Sequence, residues 1–416
     1  MLELEDVLAA NERVAETSRR TPLVYSNTFS KMTGAEIYLK QEMFQRTGAF
    51  KIRGATNRIA TLSERDREAG VVTASAGNHA QGVALAATRM GVDSTVVMPE
   101  DAPISKIQAT RAYGAEVILH GVDYDEAAEY ARELEREQNR YYLPAFDDWD
   151  VMAGQGTIGL EIVEELPDVD TVVVPIGGGG LIAGIATAVK GTNPDARIIG
   201  VQAAGASSVV PSLEEGRRVE IDSVGTVADG IATRTVGEKT FRVIEERVDE
   251  VVTVTDAEIA VAVVTLLERS KTLAEGAGAV ALAALLAETF EYDPGETIVP
   301  ALCGGNIDMN VLTTVIVRGL IETGRYLRVR TVLPDRPGAL DSLVGIISEQ
   351  EANIYAIQHD RTSRHVSMDD AEIEIDLETR GHDHIDELVD ALESAGYEMT
   401  VLEGGSGAAN LDLLRH

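Results

Sequence analysis

Thr171-Val172-Val173-Val174-Pro175-Ile176-Gly177-Gly178-Gly179-Gly180-Leu181-Ile182-Ala183-Gly184-Ile185-Ala186-Thr187-Ala188-Val189 is an apolar run, four glycines, then a longer apolar run rich in small residues. It reads as strand, tight loop and helix, the building unit of an α/β sheet. Glycines let the backbone take left-handed angles and approach a ligand closely, and the helix behind them aims unpaired N–H groups at the same point. Such a loop holds a phosphate without any basic side chain. A nucleoside-triphosphate loop would end in Gly-Lys-Ser/Thr, which is absent. The dinucleotide pattern is met loosely by Gly178, Gly180 and Ala183. Its ribose-binding acid is expected about twenty residues on, and there Ile198-Ile199-Gly200-Val201 leads to Gln202 instead. The remaining alternative is that the glycines serve only the turn.

Outward from this unit, strand-like runs at 36–39, 71–73, 95–98, 116–119 and 297–299 alternate with Ala-rich helical stretches. That alternation predicts α/β layers with mostly parallel strands. The first 320 residues are enough for a large core split into two lobes with a ligand between them. Apolar helical stretches such as 277–287 fall short of the roughly eighteen residues a membrane span needs, so no membrane is expected.

Basic residues here are overwhelmingly arginine, yet Lys51 sits among Ala49, Phe50 and Ile52. An amine in apolar surroundings loses hydration in its charged form, so its pKa falls and it becomes a nucleophile toward a carbonyl. The alternative is a lysine whose long stem reaches water from a half-buried helix. A third loop, Ala74-Ser75-Ala76-Gly77-Asn78-His79-Ala80-Gln81-Gly82, follows the short apolar run 71–73 and precedes a helical one. Ser75, Asn78 and the loop amides can bind a carboxylate or a ring oxygen. Taken singly, His79 is more often a structural histidine than a catalyst.

Five segments then carry a resemblance: Arg46-Thr47-Gly48-Ala49-Phe50-Lys51-Ile52-Arg53-Gly54, Ser75 to Gln81, Ala153-Gly154-Gln155-Gly156-Thr157, Gly177 to Gly180, and Leu302-Cys303-Gly304-Gly305-Asn306. They stand in the order found in fold-type II pyridoxal-phosphate enzymes, the tryptophan synthase β-like class. The chain most resembles the threonine dehydratase (threonine ammonia-lyase) family with one C-terminal ACT domain. The resemblance implies that Lys51 holds pyridoxal 5'-phosphate covalently, with Phe50 near its ring and Asn78 bonded to the ring's 3-oxygen. It implies that Gly177, Gly178, Gly179 and Gly180 cradle the phosphate, and that Ser75, Gly77, Asn78 and His79 belong to the loop for the amino-acid substrate's carboxylate. Glu275 falls where relatives line the cofactor; the alternative is a carboxylate placed to favour a helix N-terminus.

Cys303 is the only cysteine, so an intramolecular disulfide is impossible and a reducing interior is expected. The resemblance places it opposite the pyridine nitrogen, where a neutral partner suits prompt loss of a β-substituent; a buried structural cysteine is the alternative. The implied chemistry is removal of threonine's α-proton by the freed Lys51 amine and loss of the β-hydroxyl. The enamine released hydrolyses to 2-oxobutanoate and ammonia, and serine would give pyruvate. Serine racemase-like members bind a divalent cation with carboxylates just after the strand equivalent to 197–202. Here Gln202, Ala206 and Ser208 occupy that stretch, so no such metal site is expected and racemase activity ranks low. Serine dehydratase or another β-eliminating or β-replacing activity stays open, as does an inert amino-acid sensor.

After residue 324 the pattern changes. Residues 326–333 read as a strand, 334–338 as a loop, and 340–350 as a helix with apolar positions at 340, 343, 344, 346 and 347. Residues 353–358 read as a strand, and 371–377 alternate strictly, as a half-buried antiparallel strand does. A helix over 384–394 and a strand over 398–402 complete a βαββαβ unit of the ferredoxin-like kind. The expected layout is a catalytic domain at 1–320, a linker at 321–325, this unit at 326–403 and a tail at 404–416. The unit resembles an ACT domain, whose Asp-Arg-Pro-Gly-Ala-Leu signature stands at Asp335 to Leu340. That implies an amino-acid effector, isoleucine or valine, near Gly338 and the strand containing Asn353, often between paired copies. A homodimer or homotetramer is expected on this ground. A dimerisation module without a ligand is the alternative.

The net charge of -33 over 416 residues, with lysine rare, resembles haloarchaeal proteins from a salt-filled cytoplasm. It argues against nucleic acid as a partner, because phosphates are repelled. Met1-Leu2-Glu3-Leu4-Glu5-Asp6 lacks the basic and apolar parts of a secretion signal, so a cytoplasmic location is expected.

Overall fold

The computed structural model describes residues 1–363 and 366–404. The chain divides into two units, Met1–Leu312 and a second from Thr313 onward.

In the first unit the described strands are β1 (Leu23–Tyr25), β2 (Glu36–Gln41), β3 (Val71–Ala74), β4 (Ser94–Met98), β5 (Glu116–Leu119), β6 (Tyr141–Tyr142), β7 (Thr171–Pro175), β8 (Arg197–Ala203), β9 (Glu250–Val254) and β10 (Thr297–Leu302). They form a six-stranded sheet ordered β1-β2-β10-β7-β8-β9 and a four-stranded sheet ordered β5-β4-β3-β6. Every pairing is parallel except β1 with β2. Strands such as β7 are buried along their whole length, as parallel strands covered on both faces by helices must be. Each sheet therefore sends its strands' carboxyl ends toward one side. The loops that follow β3, β7 and β10 carry three of the five glycine-containing motifs of the sequence.

The helix that starts at Lys51 (Lys51–Ala60) is locked against the long Trp149–Glu165 helix. A Cβ on Gly154 would lie 2.6 Å from Gly54 Cα, so the two backbones meet where only glycine fits. Gln155 Oε1 accepts a hydrogen bond from Gly54 N at 3.1 Å. The Ala153–Thr157 motif is thus a helix–helix seam under the Lys51 helix. Two residues past Lys51, Arg53 enters a buried charge cluster: Nη2 bonds Glu42 at 2.8 Å, Nη1 bonds Glu161 at 2.6 Å, and Lys40 Nζ also reaches Glu161 at 2.6 Å.

In the second unit β11 (Tyr326–Pro334), β12 (Asn353–Asp360), β13 (Asp370–Glu378) and β14 (Thr400–Glu403) form an antiparallel sheet ordered β12-β13-β11-β14. With helices Ala339–Glu349 and His382–Ser394 this is the βαββαβ, ferredoxin-like arrangement. The alternation along β13 buries Ala371, Ile373, Ile375 and Leu377 against Leu343, Ile347, Leu388 and Leu392. Its other face pairs Arg328 with Asp376 and Arg330 with Glu374 across the strands.

The structure departs from the expected layout at the junction. Helix Met309–Glu322 runs through residue 320, so 321–325 is not a free-standing linker, and the second unit begins at Thr313, ahead of the expected 326. Its apolar periodicity continues unbroken there, and nothing in the local sequence stops it before Gly324. Residues 405–416 of the expected tail lie outside the described residues. Among the described residues, no helix is long and apolar enough to cross a membrane.

Candidate active site

A cavity of about 1020 Å³ opens in the first unit where the loops after the strands meet. Lys51, Ser75, Gly77, Asn78, His79, Gly178 and Glu275 all line it. These residues come from four separated segments, two of which are loops that parallel strands deliver to one edge.

Lys51 begins its helix, with Phe50 as the preceding cap residue. A cation at a helix N-terminus opposes the macrodipole, and among the described residues the only hydrogen-bond partner of its Nζ is the Ala145 carbonyl at 3.2 Å. Burial lowers its pKa from 10.5 to about 8, with Cys303 and Glu275 acting the other way. The amine thus gives up its proton far more readily than an ordinary lysine. Phe50 is packed in the large apolar cluster rather than in the cavity wall, with its ring centroid 5.1 Å from Lys51 Nζ.

The glycine loop presents donors. Gly179, in the left-handed region at φ 91°, caps the helix Gly180–Thr192. Among the described residues, the backbone N–H groups of Gly177 through Ile182 have no hydrogen-bond partner, and all six residues are buried. Buried N–H groups are costly to leave unpaired, so this segment is built for an anion supplied from outside the protein. The first turn of the helix Asn78–Met90 does the same on the other side of the cavity: the N–H groups of Asn78, His79 and Ala80 have no partner among the described residues. Ser75 Oγ accepts from Gly77 N at 3.1 Å, which fixes the loop and leaves the hydroxyl hydrogen available.

His79 is tied by its ring Nε2 to the Leu143 carbonyl at 3.1 Å. Burial, then the charge of Lys51, lowers its pKa to about 3, so it is neutral at physiological pH. Its ring anchors the loop, and its backbone N–H is what it offers the cavity.

Glu275 caps the helix Gly276–Leu286 through its backbone, but its carboxylate takes no part in that cap. Glu275 Oε1 instead accepts from Asn78 Nδ2 at 2.6 Å. Burial raises its pKa; Asn78, Lys106 and Lys51 work against that rise. Cys303 lies behind the wall, buried, with Sγ donating to the Ala277 carbonyl at 3.2 Å. Burial and then Glu275 push the thiol up, so it stays neutral. Of the loop glycines, only Gly178 reaches the cavity wall with its own atoms.

A group carrying an aldehyde and a phosphate fits these residues: an amine of lowered basicity lines a cavity whose wall is met, at Gly178, by a loop with six unused N–H donors. The comparisons decide which group it is. A family model described as pyridoxal-phosphate dependent enzyme matches residues 14–304. The chain belongs to this family. It is 47% identical over 402 residues to an L-threonine ammonia-lyase of Thermotoga maritima, covering 97% of this chain and all of that protein. Among solved structures, the processed form of threonine deaminase isoform 2 from Solanum lycopersicum matches with TM-score 0.73 and 42% identity, over 76% of this chain and 92% of that one. Maize serine racemase matches with TM-score 0.72 and 34% identity, over 76% and 98%. The chain is thus a pyridoxal-phosphate-dependent enzyme, and its cavity is lined by the Lys51 amine and Gly178 of the glycine loop.

Sequence reasoning did not reveal the other charged side chains at the cavity, Lys106, Asp229 and the Arg234–Glu220 pair. Lys106 lies on the helix Ile104–Ala112, Asp229 starts a single helical turn, and Glu220 and Arg234 lie in loops, so no shared pattern marks them. In the second unit, Gly338 lines a cavity of about 380 Å³ with Asp335, Arg336, His359 and Arg361. Asn353 is not part of it. β12 runs in the same direction as β11, so its first residue, Asn353, pairs with Glu378 beside Tyr326, while Gly338 follows the other end of β11. Within one chain, the β12 residue facing that loop is His359, six positions on.

Proposed function

We propose that this enzyme deaminates L-threonine to 2-oxobutanoate and ammonia by eliminating the β-hydroxyl, and that an amino acid bound at the C-terminal unit regulates it. The observation that carries the reaction is the Lys51 amine. Its pKa is lowered to about 8, and it stands in one cavity with two sets of unused backbone donors. Pyridoxal phosphate, when bound, supplies the electron-withdrawing ring that acidifies the α-hydrogen. The donors at Ser75 to Ala80 hold the substrate carboxylate and orient the α-carbon. Lys51, released by the incoming amine, accepts the α-proton, for which a base poised near the working pH is the efficient choice. Glu275 and Asn78 fix the polar wall, and neutral His79 and Cys303 add no competing charge.

The 402-residue alignment with the threonine ammonia-lyase takes in both units, which supports reading the ferredoxin-like unit as an ACT domain. Its effector, isoleucine or valine, would sit at the Gly338 cavity with His359 and Arg361. Paired copies of the unit would make a homodimer or homotetramer. The acidic surface suits a salt-rich cytoplasm. A racemase reading has less support: Gln202 Oε1 accepts from Val209 N at 2.8 Å and its Nε2 donates to the Ala206 carbonyl at 3.1 Å. Both ends of the only polar side chain on that strand end are spent inside the loop. Steady-state release of keto acid and ammonia from threonine and serine, with and without isoleucine and valine, tests all of this. Faster turnover of threonine with a response to one effector is expected; serine turnover exceeding threonine, or no turnover, overturns the reading.

A further inference from the structure

Three of the loops around the cavity are joined by a short chain of side-chain hydrogen bonds. Asn306 Nδ2 donates to the Thr47 carbonyl at 2.6 Å and to Asn78 Oδ1 at 2.8 Å, and Asn78 Nδ2 donates to Glu275 Oε1 at 2.6 Å. A side-chain amide presents an oxygen on one side and a nitrogen on the other, and the two swap by a half turn. Here the chain starts at a backbone carbonyl, which accepts and never donates. The Asn306 atom facing Thr47 is therefore nitrogen, its second hydrogen goes to Asn78, and the Asn78 atom that receives it is oxygen. Asn78 is left with its nitrogen toward Glu275 and the cavity, with one hydrogen bonded to Glu275. Its other hydrogen has no partner among the described residues.

The backbone is shaped for this. Gly48 has φ 72°, and a Cβ there would lie 2.2 Å from Asn306 Oδ1. Only glycine at 48 lets Asn306 come close enough to reach Thr47. Gly305 N also donates to the Gly48 carbonyl at 2.9 Å, holding the two loops in register.

The geometry points to Asn306 as a positioning residue: it sets the orientation of the Asn78 amide, so that the cavity receives a hydrogen-bond donor from Asn78 and not an acceptor. The inference rests on the pyridoxal-phosphate site, whose ring oxygen is the acceptor that a donor from Asn78 suits. With the amide turned over, the Asn78 oxygen would face both the Glu275 carboxylate and that ring oxygen, and each contact would repel.

The test uses the full chain with four variants: Asn306→Asp, which accepts but does not donate; Asn306→Ala, which removes the lock without adding charge; Asn78→Ala; and the Asn78→Ala/Asn306→Asp double variant. The readouts are the cofactor's visible absorption band against pH and the dissociation constant of added pyridoxal phosphate. Asn306→Asp is expected to weaken cofactor binding about tenfold or more and to move the band, Asn306→Ala less so. The double variant is expected to match Asn78→Ala alone, because Asn306 acts through Asn78. Folded Asn306 variants with the wild-type band and dissociation constant overturn the inference, as do effects that simply add; if Asn306→Asp does not fold, Asn306→Ala decides. Wild-type protein that takes up no pyridoxal phosphate overturns the underlying site as well, so the two failures are distinguishable.

Discussion

Lys40 and Lys51 both lie in the interior of the first unit, and they are surrounded in opposite ways. Lys40 is fully enclosed, with Nζ 2.6 Å from Glu161 and 2.8 Å from the Thr21 carbonyl. It belongs to a cluster of two cations and two carboxylates, with Arg53 bridging Glu42 and Glu161. Burial alone would raise the pKa of Glu161, yet Arg53 and Lys40 bring it below the ordinary carboxylate value. Lys51, eleven residues on, has one carbonyl and no ion-pair partner within hydrogen-bonding distance. Its neighbourhood leaves donors unpaired instead of matching every charge. A saturated buried cluster pins the helix in place; an unsaturated one next to it is available for chemistry. Arg53 and Lys51 stand two residues apart at the start of one helix, so that the rigidity of Arg53 is transmitted to the position of Lys51.

The largest way to test that contrast is to remove the unsaturated lysine. Lys51→Ala is expected to lower threonine turnover about ten-thousandfold, since it removes both covalent attachment and general base. Cofactor should still bind noncovalently, held by the Gly177–Ile182 amides. Residual turnover within tenfold of wild type would show that another group is the base. Next in size is an attack on the saturated cluster. Glu161→Gln leaves Arg53 with Glu42 and Lys40 with no carboxylate partner among the described residues, and unpairing a buried charge costs roughly 3–5 kcal/mol. A thermal midpoint lower by several degrees is expected, with an unchanged KM in whatever protein remains folded. A large KM change at an unchanged midpoint would mean that the cluster is part of substrate binding.

The two clusters were not equally legible in the sequence. The anion loop announces itself because strand, glycines and helix are contiguous, and the Lys51 segment stands out by its apolar neighbours. The charge cluster is silent: Arg53 and Glu161 are 108 positions apart, and Lys40 and Glu161 are 121 apart. Only the parallel order β2-β10-β7 and the seam at Gly154 bring them together. β6, two residues long, has no pattern to read, whereas the alternation of β13 places each side chain on its correct face. Gly338 and Asn353 are joined by the resemblance to an ACT domain, in which the site often lies between paired copies. The strand direction separates them, which periodicity does not encode. Glu275 shows the converse. Its position at a helix start is readable, but the choice between dipole and cavity turns on a single bond to Asn78.

The smallest effect separates the two lysines by stability. With cofactor removed, the unpaired Lys51 amine is a liability to the fold, and Lys51→Met is expected to stabilise the cofactor-free protein. The gain is on the order of 2 kcal/mol, reduced from the full cost of burial because cavity water reaches the amine. Its pH dependence follows from the proton balance. The unfolded chain keeps the Lys51 proton to about pH 10.5, whereas the folded protein releases it near 8. Between those values the unfolded state binds more protons, so this residue makes the wild type more stable as pH rises from 8 to 10.5 and has no such effect below or above. The Lys51→Met protein lacks that slope, so its advantage is full below pH 8 and shrinks toward pH 10.5. Denaturant unfolding at pH 7, 9 and 10 checks the trend. An advantage that grows with pH would mean that the amine is paired in the cofactor-free fold, as Lys40 is, and would erase the distinction between them.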